Sequence, residues 1–211
     1  MLLSYIIIFL YLYNSKKGPA MKKIILYITC SLLSITGFSQ VVRQGEQFTT
    51  VPVLEGKVIF MKEVPLKGEL SVEGNYKLLK EWAAVNYGKD PFISSIKYNL
   101  DNNEFIAKSR IELLLPANAK GEREKMIMRY RVNGFIFQNK CVLEITDISY
   151  LYENSGKGNL LSRVIRAEDF ITDKALEDED FHEIKTNTRK STLFFLNELG
   201  SDFENKFGYG Q

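Results

Sequence analysis

The chain has 211 residues but only one histidine, two cysteines and one tryptophan, and these shortages exclude several kinds of chemistry. A zinc centre draws about four N, S or O ligands at recognisable spacing, and the lone His182 offers no such set. Serine-protease-type chemistry would have to use the same His182. It lies in an acidic stretch, and no Gly-x-Ser-x-Gly elbow occurs anywhere in the chain. Gly156-Lys157-Gly158 lacks the glycine five residues upstream that a phosphate loop requires, since Leu151 stands there, so it reads as a turn. The acidic run Glu177-Asp178-Glu179-Asp180 lacks the alternating oxygen ligands around a glycine that a calcium loop needs. It reads as a solvated surface or the first turn of a helix. No catalytic residue, metal ligand or cofactor site is assigned.

The N-terminal portion looks like a targeting segment. Met21-Lys22-Lys23 is a second start with a positive flank, Ile24–Ile35 is an apolar run, and Gly37-Phe38-Ser39 places small residues where a signal peptidase reads. Residues 21–39 are therefore expected to be a signal peptide, with Gln40 the first mature residue. The protein is expected to be exported, to the periplasm or beyond. Residues 1–20 are read as the product of an upstream start codon, because their apolar run of about 12 residues is shorter than the roughly 20 that span a bilayer. No transmembrane helix is expected in the mature chain.

Removing this segment changes the charge. The whole chain has 28 Lys and Arg against 26 Asp and Glu, a formal +2. Four of the lysines (Lys16, Lys17, Lys22, Lys23) precede Gln40 and no acids do, so the mature chain falls to −2. A nucleic-acid binder keeps a basic surface to neutralise phosphates, and at the level of net charge this chain does not. Cys30 departs with the signal. Cys141, among strand residues, is expected to be buried and inert.

Residues 40–56 read as a polar lead. Lys57–Val64 reads as a strand, with Val58, Ile59 and Phe60 between charged ends, and Pro65 and Gly68 end it. Ser71–Tyr87 reads as a helix, with Val72, Tyr76, Leu79, Trp82 and Ala83 on one face, Ser71 as N-cap and Gly88 as stop. Trp82, on that stripe, is expected in the core. Strands follow over 92–100, 105–113, 126–132 and about 140–152. Asp101-Asn102-Asn103 marks the first hairpin. For the last hairpin, Asn133-Gly134 competes with Gln138-Asn139-Lys140. The second choice matches the strand lengths, with Gly134 then marking a bulge. Residues 153–159 read as a loop, 160–187 as mixed and acid-rich, and Thr188–Phe207 as a helix docked by Leu196, Leu199, Phe203 and Phe207. The order is β-α-β(4)-α. It predicts an α+β domain over 57–152, completed by 153–211, whose antiparallel sheet is covered by helices on one face.

Within this frame the stretch Val58–Tyr152 resembles a family of exported bacterial proteins of unknown function with a TATA-box-binding-protein-like (TBP-like) fold. The resemblance is carried by Glu81-Trp82-Ala83, by Ile96-Lys97-Tyr98 and by Val142-Leu143-Glu144-Ile145-Thr146-Asp147-Ile148. Asn139 departs from it, standing where such proteins tend to have a charged residue followed by Gly. The resemblance implies the fold and export. It implies no activity, and a fold name does not license a DNA-binding claim.

Lys108, Arg110, Arg129 and Arg131 are the cluster with most functional character. If the strands pair as proposed, these four share one sheet face and could form an anion or polymer platform. The competing reading is an ordinary charge lattice, with Glu112 and Glu144 facing Arg110, Arg129 and Arg131. Three readings of function follow: a non-catalytic exported module that binds an envelope partner or polymer, a small envelope hydrolase using strand carboxylates, and, least supported, a nucleic-acid binder.

Overall fold

The structure, a computed structural model, describes residues 41–66, 68, 70–117, 121–152 and 163–208. The expected signal peptide, the residues before it, Cys30 and the turn at Gly156-Lys157-Gly158 lie outside the described residues.

A seven-stranded sheet organises the rest. In chain order the strands are β1 (Val41–Arg43), β2 (Val53–Leu54), β3 (Lys57–Val58), β4 (Phe60–Pro65), β5 (Ser94–Asn99), β6 (Glu104–Leu114), β7 (Lys125–Ile136), β8 (Lys140–Tyr152) and β9 (Arg163–Arg166). The helices are α1 (Val72–Tyr87), α2 (Asp173–Leu176) and α3 (His182–Phe207), with a 3₁₀ turn at Ala167–Asp169. Across the sheet the order is β1-β4-β8-β7-β6-β5, and β9 also pairs with β8. All pairings in this sheet are antiparallel except β1 with β4. β2 and β3 form a separate hairpin.

Alternation along the strands decides the faces. Phe105, Ala107 and Leu113 of β6, Met126, Met128, Tyr130 and Val132 of β7, and Leu143, Ile145, Ile148 and Tyr150 of β8 are buried in one core. α1 closes over it with Tyr76, Leu79, Trp82, Ala83 and Tyr87, and α3 with Leu196, Leu199, Phe203 and Phe207. α1 begins where Ser71 Oγ accepts from Gly74 N–H and ends where Gly88 N–H reaches Ala84 O. These cap bonds satisfy groups that a helix end leaves open. No helix among the described residues is long and apolar enough to cross a membrane.

Four features differ from the sequence reading. Gly134 is not a bulge: it stays in register between Phe105 and Leu143. It is glycine because a Cβ there would lie 2.2 Å from Phe105 Cε1. The bulge sits in β8 instead, where Asp147 takes φ 51° and the register against β7 shifts between Arg129 and Arg131. It resets the alternation, so Ile145 and Ile148 both face the core. Residues 41–56 are more than a polar lead, since they carry β1 and bury Val42, Phe48 and Val51. The last helix starts at His182 rather than Thr188, because its first turns bury Lys185, Thr188 and Thr192 instead of an apolar stripe. Finally, Phe92 is outside the strand and 87% exposed.

Candidate functional site

The helices cover one face of the sheet, so the outward-pointing residues of β5 to β9 form an open face. Pairing registers place these residues in rows across the strands. One row runs Ser95, Lys108, Arg131, Thr146. The next runs Arg110, Arg129, Ser149, Arg166. Lys108, Arg110, Arg129 and Arg131 are thus brought together, and Arg166 joins them from β9, within the stretch whose sequence reads as mixed and acid-rich. Lys108, Arg110, Arg129 and Arg166 are exposed and Arg131 is half-buried.

Two successive cross-strand pairs on this face are like-charged: Lys108 opposite Arg131, and Arg110 opposite Arg129. Directly opposed like charges destabilise a sheet. The compensating lattice of glutamates does not form around them. Glu112 pairs with Lys125 at 2.6 Å, and Glu144 accepts from Asn133 Nδ2 at 2.6 Å. Arg131 is the best engaged of the cluster. Its Nε donates to Asn133 Oδ1 at 3.0 Å, and its guanidinium lies 4.0 Å from Asp147 at the bulge. Arg166 Nε stands 3.7 Å from Asp169. Among the described residues no carboxylate lies within 4.0 Å of Lys108, Arg110 or Arg129.

A shallow depression of about 420 Å³ opens beside these cations. Lys108, Arg110, Arg129 and Arg131 line it with Phe92 and Asp147. Phe92 stands beside the cations because Asp90 Oδ1 accepts its N–H at 2.8 Å in the turn leading into β5. Beyond the arginine row lies an apolar one, Ile127, Leu151 and Val164, with Glu112 at its β6 end.

The other singled-out residues lie elsewhere. His182 is exposed at the start of α3, its Nδ1 3.1 Å from Leu176 O. In the acidic run, Asp178 binds the buried Lys185 at 2.9 Å, which holds its carboxyl below the usual range. Cys141 is buried, and desolvation pushes its thiol well above its ordinary pKa. Glu63 binds Lys140 at 2.7 Å, so this strand carboxylate too is engaged. Among the described residues no group of three or more His, Cys, Asp or Glu is placed to hold a metal ion. Trp82 is buried, with its Nε1 donating to Asp202.

The fold has relatives. Residues 60–151 match the model of a family described as a domain of unknown function (DUF4468) with TBP-like fold. The crystal structure of a TBP-like protein from Parabacteroides distasonis superposes with a TM-score of 0.63 at 24% identity, over 74% of this chain and 96% of the other. A DUF4468 family protein from Bacteroides ovatus superposes with a TM-score of 0.64 at 19% identity, over 78% of this chain and 94% of the other. At these identities the likeness speaks for the fold alone, and the fold is TBP-like, an α+β sheet with helices on one face. No curated protein matches the sequence.

Proposed function

We propose that this TBP-like domain is a non-catalytic binding module that takes an anionic partner on its open sheet face, through Lys108, Arg110, Arg129 and Arg131. The carrying observation is the pair of like-charged cross-strand contacts. A sheet selected for stability alone would place acids opposite these cations. Among the described residues no carboxylate lies within 4.0 Å of Lys108, Arg110 or Arg129, so an arriving anion would supply the missing charge. The relief is shallow and the cations sit on long stems. Such a surface suits an extended anion better than a small molecule held in a closed pocket. An exported protein would meet such partners in the cell envelope.

Retention on a heparin matrix, used as a generic polyanion, tests this reading. The protein should be held at low salt and released as salt rises, because each neutralised anion frees a counterion. The double variant Arg110→Gln/Arg129→Gln should elute at clearly lower salt. Equal elution of the two proteins would remove the open face from the proposal.

A further inference from the structure

The basic rows do not stand alone on the open face. One step along the strands from Arg110, Arg129, Ser149 and Arg166 comes the row Glu112, Ile127, Leu151 and Val164. Ile127 and Leu151 are half-buried, and Val164 is 53% exposed. In the next row Leu114, paired with Lys125, is 50% exposed. A band of cations therefore runs parallel to a band of aliphatic side chains, on a face that no helix of the described residues covers.

Resting on the anion-binding reading above, we infer that this face docks on an anionic lipid surface. Arg110, Arg129 and Arg166 would meet headgroup phosphates while Ile127, Leu151, Val164 and Leu114 meet the apolar boundary beneath them. Charge complementarity selects the occupant. Each cation near an anionic lipid surface strengthens binding roughly fivefold. This face holds Lys108, Arg110, Arg129, Arg131 and Arg166. The carboxylates beside them, Asp147 and Asp169, approach only Arg131 and Arg166, at 4.0 and 3.7 Å.

The apolar row separates a lipid from a soluble polyanion, which has nothing to place on three aliphatic side chains. Apolar contact together with electrostatic attraction is the combination that holds a protein at an interface. The row geometry also fits. Arg110 and Arg166 are three strand spacings apart, about 14 Å, so they address separate headgroups of a continuous surface.

The test is co-sedimentation of the full chain with vesicles of equal parts phosphatidylglycerol and phosphatidylcholine, against vesicles of phosphatidylcholine alone. Every variant carries the same residues 1–39, whose apolar runs and four lysines add the same background to each on both kinds of vesicle, so the differences between variants report the open face. The wild type should partition into the anionic vesicles at least tenfold more strongly than into the neutral ones. Arg110→Gln/Arg129→Gln should lose about tenfold or more of that preference. Leu151→Ser/Val164→Ser, which keeps every cation, should lose severalfold. Melting curves check that both variants fold, and the single change Val164→Ser, at an exposed edge position, substitutes if the double one does not. Two results overturn the inference: equal partition of all variants, or full vesicle binding by the serine variants. If heparin retention persists while vesicle binding is absent, the lipid inference fails and the anion-binding module stands. If both are absent, both readings fail.

Discussion

Arg110 and Arg129 face each other across β6 and β7, and no carboxylate among the described residues comes within 4.0 Å of either. The next pair along, Lys108 and Arg131, repeats the arrangement. On the helix-covered face the same two strands interlock without conflict. The unfavourable contacts are therefore confined to the open face, where a partner can reach them.

The helix layer has its own clamp. Trp82 Nε1 donates to Asp202 Oδ2 at 2.7 Å, and the indole packs edge-on against Phe203 with centroids 5.0 Å apart. Trp82→Ala should cost about 3–5 kcal/mol in denaturant unfolding. Asp202→Asn keeps a side-chain oxygen that accepts from the indole N–H and should cost clearly less. Equal losses would mean that the carboxylate charge, not the packing, holds α1 to α3.

Gly134 makes room for a ring. Its replacement by alanine would drive a methyl into Phe105, an overpacking cost of about 1–3 kcal/mol. The double variant Gly134→Ala/Phe105→Leu should be less destabilised than the two single losses added together, a coupling that a double-mutant cycle measures directly.

Beside its strand pairing and buried apolar side chains, the N-terminal segment is latched by a buried cation. Lys62 Nζ donates to Arg43 O at 2.9 Å and Glu46 O at 2.7 Å, and pairs with Glu204 at 2.7 Å. Glu204 in turn accepts from Gly45 N–H. Lys62→Ala leaves Glu204 without its cation and should cost about 3–5 kcal/mol. Hydrogen exchange should rise first in residues 41–48, ahead of the core strands. Uniform loosening of the sheet would count against this latch.

Alkali should destabilise the fold in two stages. Burial raises the Cys141 thiol in the folded chain, while an unfolded thiol ionises near pH 8.5. Above about that pH the unfolded state holds fewer protons than the folded one, so stability falls as pH rises. The buried phenols of Tyr87, Tyr130 and Tyr150, raised chiefly by desolvation, add the same slope above about pH 10. Stability is therefore fullest below about pH 8.5 with respect to these groups. Denaturant midpoints between pH 7 and 11 should decline, and Cys141→Ala should remove the first part of the decline. A midpoint independent of pH would contradict the burial of these groups.

The elements legible in the sequence were those whose local signals agreed. Ser71, the stripe from Tyr76 to Ala83 and Gly88 bounded α1, and alternation placed Lys108, Arg110, Arg129 and Arg131 on one face. Signals that depend on distant partners were not legible. The three residues of β1 and four of β9 are too short for periodicity and exist because β4 and β8 offer free edges. Arg166 could not be added to the cluster for that reason. The Asp147 bulge leaves no glycine as a marker. The start of α3 hides because its buried face there is polar: Thr188 bonds Ile184 O and Thr192 bonds the Tyr150 hydroxyl.

The most direct test of the central claim is Arg129→Glu, read for stability and anion binding in the same preparation. If the open face gives up stability for binding, a glutamate opposite Arg110 turns repulsion into attraction, worth about 1 kcal/mol. The melting temperature should then rise by about 2–4 °C while heparin retention falls sharply. A lowered melting temperature with unchanged retention would show that Arg129 serves the fold and not a ligand, and would contradict the account.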